Sequence, residues 1–347
     1  MKRIASDPEL QIGETYMEGA WDGGAGGLER LLEVLMRNFR HRRFHGRAKV
    51  AQAIAELVMR GNRIAYSYRH VQHHYDIDEW LYRRFLDEDM HYSCAYFRSP
   101  DMSLEQAQQA KCELLLRKLR LRPGHKVLDI GSGWGGLALY LAEHAQVEVE
   151  GLTLSGEQLR VARARAEERG LADRVRFHLR DYREHRGEYD RVVSVGMFEH
   201  VGRLHFRDYF EQVRRNLRAE GVALIHTIGS SQPPSPTNAW ISRHIFPGGY
   251  IPSLSEVMSA VEPVELVCTD IEVLRLHYAE TLAHWLQRFR AVRDEVVARM
   301  GERFARMWEF YLASTQMSFR CWDSVVFQIQ LARDQTAVPL TRNFLCD

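Results

Sequence analysis

Five short apolar runs constrain this chain most: "KVLDI" (126–130), "VEVEGLTL" (147–154), "VRFHL" (175–179), "YDRVVSVG" (189–196) and "GVALIHTI" (221–228). Stretches of helical periodicity lie between them, at 135–144, 156–169 and 205–217. Short apolar runs bounded by turn residues read as buried strands. Parallel neighbours cannot be joined by a tight hairpin and need a crossover, so this alternation predicts a parallel sheet with helices on both faces. "SVVFQIQLAR" (324–333) follows two long helical stretches, 279–299 and 301–316, and reads as a late strand free to run antiparallel.

Upstream the texture differs. Residues 1–27 are weakly patterned, end in "DGGAGG" and are read as a flexible start. From 28 to 64 apolar residues recur at helical spacing, among them Leu31, Leu32, Leu35, Ile54 and Leu57. Residues 73–90 continue as a helix with Trp80, Leu81, Phe85 and Leu86 inward. Two regions result: an N-terminal helical region, 1–65, that is a candidate for membrane or dimer contact, and a catalytic domain, 66–347. The Pro- and Gly-rich loop 230–252 is too long for a plain connection and reads as a lid or binding loop.

Charge and cysteine content narrow the function. The formal net charge is +1, which gives no global field for nucleic acid. Arg37, Arg40, Arg42, Arg43, Arg47 and Lys49 nevertheless crowd one segment with His41 and His45. That segment is either a solvated helix face or a contact for anionic phospholipid headgroups. The five cysteines are scattered and form no metal-type pair, so no metal is expected. Without a signal-peptide pattern the expected compartment is the cytoplasm. No apolar run approaches the roughly 20 residues of a spanning helix, so any membrane contact is peripheral.

In an open parallel sheet the ligand crevice lies beyond the carboxyl ends of the strands. Gly131, Thr153, Asp181, Glu199 and His226 all fall at or just past such an end. "LDIGSGWGG" (128–136) places Gly131 and Gly133 where the backbone must turn sharply and approach a ligand, with Asp129 just before. A dinucleotide site wants an acid at the end of the second strand, and Thr153 stands there instead. Asp181 is placed to accept from the exocyclic amine of adenine. Glu199 can be read as a helix cap, His226 as a core histidine and Tyr278 as a core ring. Cys94 in "MHYSCAYF" (90–97) is a packed turn, a nucleophile or a wall of the site. Together these donors and one carboxylate suit a small oxyanion or a proton being removed.

With "FLDEDMHYSCAYF", "SLEQAQQAK", "KVLDIGSGWGGLA", "GLTLSGEQ", "RVVSVGMFEHVG", "LIHTIGS", "WISRHIFPGGYIPS" and "YAETLAHWLQRF" in this order, the chain resembles the cyclopropane-fatty-acyl-phospholipid synthase family over about residues 73–333. These enzymes are related to mycolic acid cyclopropane synthases. The resemblance implies a class I S-adenosylmethionine-dependent methyltransferase fold, Rossmann-like, with a seven-stranded sheet, a late antiparallel strand and a helical lid insertion. It implies S-adenosylmethionine held by Gly131, Gly133, Thr153, Leu154 and Gln158, with Asp181 and Tyr182 beside adenine and Tyr92 and Ser93 closing over it. It also implies a bicarbonate base held by Cys94, Glu199, His226, Ile228 through its backbone, and Tyr278. The substrates would be phospholipid acyl chains, met at the membrane surface. One departure is Ser132, where the family usually has Cys.

The implied reaction transfers the sulfonium methyl carbon to a cis double bond. A proton then leaves the new methyl group and a cyclopropane ring closes. Two enzyme alternatives use the same scaffold: an acyl C-methyltransferase giving a methylene or methyl branch, and a small-molecule N-methyltransferase. A non-catalytic lipid- or cofactor-binding protein is a third reading, opposed by Glu199, His226 and Tyr278 all being present.

Overall fold

The computed structural model describes residues 2–39 and 79–345. Its centre is a seven-stranded sheet: β1 (Lys126–Ile130), β2 (Glu148–Thr153), β3 (Val175–Leu179), β4 (Tyr189–Val195), β5 (Leu217–Ser230), β6 (Val267–Leu274) and β7 (Ser324–Ala332). The order is β3-β2-β1-β4-β5-β7-β6. Strands β1 to β5 pair parallel, and β7 runs antiparallel between β5 and β6. The order reverses between β1 and β4, which opens a crevice at their carboxyl ends.

The helices are α1 (Lys2–Ser6), α2 (Pro8–Met17), α3 (Gly27–Phe39), α4 (Glu79–Phe85), α5 (Leu104–Leu119), α6 (Gly136–Ala145), α7 (Gly156–Glu168), α8 (Phe206–Asn216), α9 (Ala239–His244), α10 (Leu254–Val261), α11 (His277–Ala291), α12 (Arg293–Met300) and α13 (Glu302–Cys321). Strand alternation sends Val127, Val149 and Leu224 to one face, against Leu115 of α5, Leu139 of α6 and Ala162 of α7. It sends Leu128, Val192 and Ile225 to the other, against Tyr209 and Val213 of α8 and Val257 of α10. A third cluster joins Leu81 and Phe85 of α4, Trp285 of α11, Trp308 of α13 and the loop holding Cys94, with Ile228 of β5 packed against it.

The flexible start predicted for 1–27 is wrong. Asp7 caps α2 by accepting from the Leu10 N–H at 3.3 Å, and Tyr16 and Met17 enter the core. Gly13 permits this, since a Cβ there would lie 2.4 Å from Nε1 of Trp240. The apolar face is too short to register as a period, and tertiary packing decides. Helix α3 begins the helical region predicted over 28–64. Its remainder, most of the basic run, the division at residue 65, residues 73–78 and Cys346 lie outside the described residues.

The other differences are local. The predicted helix 73–90 stops at Phe85, and 279–299 breaks at Val292 into α11 and α12. The segment 230–252 carries α9 and is fastened by a Ser230 N–H to Pro252 carbonyl bond of 2.8 Å and by buried Trp240, whose ring meets Phe310 edge-on.

Candidate active site

The parallel pairing of β1 to β5 sets their carboxyl ends along one edge of the sheet, but His226, expected at the end of β5, lies inside that longer strand. After β1 the chain turns through Gly131 and Gly133, with φ of +85° and +54°. The N–H groups of Gly131 and Ser132 both donate to the Leu152 carbonyl, at 3.0 and 2.9 Å, which pins the turn to β2. A Cβ on Gly131 would lie 2.8 Å from Met197, whereas one on Gly133 would meet nothing within 4 Å. Asp129 is buried beneath the turn and its Oδ2 has no partner. Burial raises its pKa to about 7, with Lys111 and His91 opposing.

At the end of β2, Thr153 Oγ1 donates to Gln158 Oε1 at 2.8 Å and accepts from the Ser155 N–H at 3.1 Å; Leu154 between them is half-buried. After β3, Asp181 is buried and clasped by Arg183 at 2.6 and 2.9 Å, a partner that sequence reasoning missed. Tyr182 is half-buried, with its ring edge-on to Tyr209.

Past β4 and on β5 lie a buried acid and a buried imidazole. Glu199 sits in the 3-10 turn Phe198–His200, and its Oε1 accepts from the Ile228 N–H at 2.6 Å. Its Oε2 is buried without a partner. Burial raises the Glu199 pKa to about 7 against the pull of that backbone bond. The Ile228 carbonyl accepts from the Thr227 hydroxyl at 3.0 Å.

His226 lies two residues before Ile228, on the same face of β5. Gln328 Nε2 is 3.1 Å from His226 Nδ1. An amide nitrogen only donates, so Nδ1 accepts and the ring proton sits on Nε2. That Nε2 is buried and unpartnered. Burial, helped by Lys111 and Lys118, lowers the His226 pKa to about 3 and keeps the ring neutral.

Cys94 is fully buried and its thiol donates to the Ala95 carbonyl at 3.3 Å; burial pushes its pKa up, so it remains a thiol and not a nucleophilic thiolate. The Ala95 N–H donates to Thr281 at 3.0 Å, which ties this loop to α11 one turn from Tyr278. Tyr278 packs its ring on Trp285 and Phe319. Cys94 and Tyr278 share a buried cluster, against which Ile228 packs. Tyr92 stacks on Trp285 with centroids 5.3 Å apart, and its hydroxyl meets that of Tyr311 at 2.7 Å.

The loop carrying Tyr92 and Ser93 is held from below. Gln108 of α5 donates to the Ser93 carbonyl at 3.0 Å, and Lys111 donates to its hydroxyl at 3.2 Å. His91 bridges Asp87 and Cys112, at 2.7 and 3.3 Å. Burial alone would lower the His91 pKa, but Cys112 and Asp87 outweigh it and raise it to about 9. None of Lys111, Gln328 and Arg183 was singled out as a site residue. Gln328 matches the family's glutamine signature and Lys111 closes the motif "SLEQAQQAK", but the sequence gives neither a role at the site.

A family model described as mycolic acid cyclopropane synthetase matches residues 63–329. The chain is 39% identical to the cyclopropane-fatty-acyl-phospholipid synthase of Escherichia coli (strain K12), over 96% of this chain and 85% of that protein. It is 35% identical to the tuberculostearic acid methyltransferase UfaA1 of Mycobacterium tuberculosis, over 96% of this chain and 81% of that one. The crystal structure of mycolic acid cyclopropane synthase CmaA1 complexed with SAH and CTAB superposes with a TM-score of 0.73 at 33% identity, covering 76% of this chain and 97% of that one.

Proposed function

Because the chain belongs to the mycolic acid cyclopropane synthetase family and is an S-adenosylmethionine-dependent methyltransferase, we propose that it adds a methylene carbon across the cis double bond of an unsaturated phospholipid acyl chain, with bicarbonate as the base. The observation that carries the base is a pair of buried, unpartnered polar atoms, Glu199 Oε2 just past β4 and His226 Nε2 within the neighbouring β5. Buried polar groups are almost always satisfied, so such a pair points to a ligand. The positive-φ turn at Gly131 and Gly133, above the unpartnered Asp129 Oδ2, fits the cofactor in the same way.

When bound, S-adenosylmethionine supplies an electrophilic methyl carbon and bicarbonate an oxygen base. The chain's own residues do the rest. Neutral His226 donates from Nε2 to an anion oxygen without adding charge. Glu199, raised to about 7, holds or shares a proton on Oε2, since two anions side by side in a dry site cannot both persist. Cys94 and Tyr278 complete that wall. The rings of Tyr92, Trp285, Trp308 and Tyr311 form a dry aromatic cluster beside that wall, which would keep water from a cation formed on the acyl chain.

The acyl chains reside in a bilayer, so the enzyme works at a membrane surface. Among the described residues no helix is long and apolar enough to cross one. We assign the basic run from Arg37 to Lys49 to contact with anionic headgroups, and the N-terminal region, 1–65, to membrane approach or pairing of two copies.

Bicarbonate dependence tests this reading. Stripping bicarbonate from an assay of purified protein, cofactor and unsaturated phospholipid vesicles is expected to slow CH₂ addition, and restoring it to recover the rate. A rate indifferent to bicarbonate contradicts the assigned base. Cys94→Ser is expected to keep activity within about 10-fold, because a thiol is a weak donor that a hydroxyl can replace. A much larger loss measured in that assay would give Cys94 a larger role than one edge of the pocket.

A further inference from the structure

Beneath the loop that carries Tyr92, Ser93 and Cys94 lies a cluster of reactive groups that the proposed reaction does not use. Asp87, His91 and Cys112 are all buried. The Asp87 carboxylate accepts from the His91 N–H at 2.9 Å, from the Asp89 N–H at 3.1 Å and from the His91 ring Nδ1 at 2.7 Å. With Nδ1 committed as a donor, the far ring nitrogen, Nε2, faces Cys112 Sγ at 3.3 Å. Carboxylate, imidazole and thiol thus stand in line, the order that loosens a thiol's hold on its proton. Gly136, the first residue of α6, leaves the room: a Cβ there would lie 3.0 Å from His91 Nε2 and 2.5 Å from the Asp89 carbonyl.

Burial pushes the Cys112 thiol up, but His91 and Lys111 outweigh it and bring it below its ordinary value. Lys111 opposes the charge on His91, and Asp87 favours it. Asp129, Tyr140 and Arg165 are the other titratable or charged groups that act on the cluster. We propose that Cys112 and His91 form a thiolate–imidazolium pair anchored by Asp87, and that this pair positions the loop over the cofactor. The proton leaves Sγ for Nε2, so the pair gains no net charge. His91 directly precedes Tyr92 and Ser93, and Gln108 donates to both the His91 and the Ser93 carbonyl, at 3.3 and 3.0 Å. The pair also packs against the start of α6, so it holds the loop and the end of the glycine turn together. The inference rests on S-adenosylmethionine as cofactor and on Tyr92 and Ser93 closing over it.

The ultraviolet absorbance of a thiolate tests the pair. At about pH 6.5 an ordinary cysteine is almost wholly protonated. Folded wild type is expected to show a thiolate signal there that Cys112→Ser lacks. No signal, or one that survives Cys112→Ser, overturns the proposal. Calorimetry and kinetics test the positioning. His91→Gln can still donate to Asp87 but cannot hold the extra proton, and Cys112→Ser keeps a hydrogen bond but not the charge. Each is expected to weaken S-adenosylhomocysteine about 10-fold and to raise the KM for S-adenosylmethionine by a similar factor, while kcat falls by less than about 3-fold. Affinity unchanged in either variant, or a loss confined to kcat, overturns the proposal. Should a variant fail to fold, the wild type decides. Its thiolate signal is expected to vanish on unfolding at about pH 6.5, and its S-adenosylhomocysteine affinity to fall in step with that signal on acidification. Affinity that stays level while the signal is lost overturns the proposal. Wild type that binds no S-adenosylhomocysteine contradicts the cofactor assignment instead.

Discussion

Glu199→Gln is expected to cut turnover by about 100- to 1,000-fold while S-adenosylhomocysteine affinity stays within about 3-fold of wild type. The carboxylate lies beyond β4 with one oxygen fixed by the Ile228 N–H and the other buried without a partner. Glutamine fills the same volume but cannot share a proton with an anion. The same variant carries a signature in stability. Burial raises the Glu199 pKa from its ordinary 4.5 to about 7. Below the unfolded-state value both states hold the proton, and the group's contribution to stability is fully present. As pH rises from about 4.5 through 7, the unfolded state loses the proton first and that contribution is lost, by as much as about 3 kcal/mol. Glutamine has no proton to lose. The melting temperature of the variant minus that of wild type should therefore grow between pH 5 and pH 8. Thermal unfolding across that range checks it. A difference independent of pH, or activity within about 10-fold of wild type, would remove Glu199 from the assigned role.

Gly131→Ala is expected to lose about 2–4 kcal/mol of stability and at least about 100-fold in cofactor affinity. Its φ of +85° penalises any Cβ, and the added methyl would lie 2.8 Å from Met197 on the surface that the cofactor must approach. Gly133→Ala is the control. It meets the same kind of backbone penalty at φ +54°, but a Cβ there has nothing within 4 Å. It should lose only about 1–2 kcal/mol. Denaturant unfolding and calorimetry measure both quantities. Equal losses at the two positions would mean that the approach to Met197 is immaterial.

The legible parts of the fold are those whose neighbours in sequence share their fate. Strands β1, β2, β4, β5 and β7 announce themselves because most of their residues are buried, and β3, itself at an edge, because Val175 and Phe177 alternate inward. Strand β6 does not, because it is an edge strand, part-exposed, with Asp270 and Glu272 along it. Helix α5 was missed for a related reason: buried Gln108, Lys111 and Lys118 interrupt its apolar face. Helix α2 rests on a few contacts with α9 and α13 that no local pattern reveals.

The site divides in the same way. Strand-end logic reaches Gly131, Thr153, Asp181, Glu199 and His226, because a parallel sheet places its ligand crevice by topology. Cys94 and Tyr278 are assigned by family resemblance and meet only through α11. Gln328, which sets the His226 tautomer from a neighbouring strand, depends on a pairing across more than a hundred residues of chain. Its register became visible only when β5 and β7 were seen side by side.

Ring closure is the decisive point, since the relatives include both a cyclopropane-fatty-acyl-phospholipid synthase and a tuberculostearic acid methyltransferase. The direct measurement is proton NMR and mass spectrometry of phospholipid recovered after incubating vesicles of a cis-monounsaturated lipid with purified protein and S-adenosylmethionine. The expected result is a gain of one CH₂ per modified chain, loss of the olefinic proton signals and appearance of upfield cyclopropane protons. A one-carbon gain that keeps olefinic or exo-methylene signals, or that yields a saturated methyl branch, would contradict it.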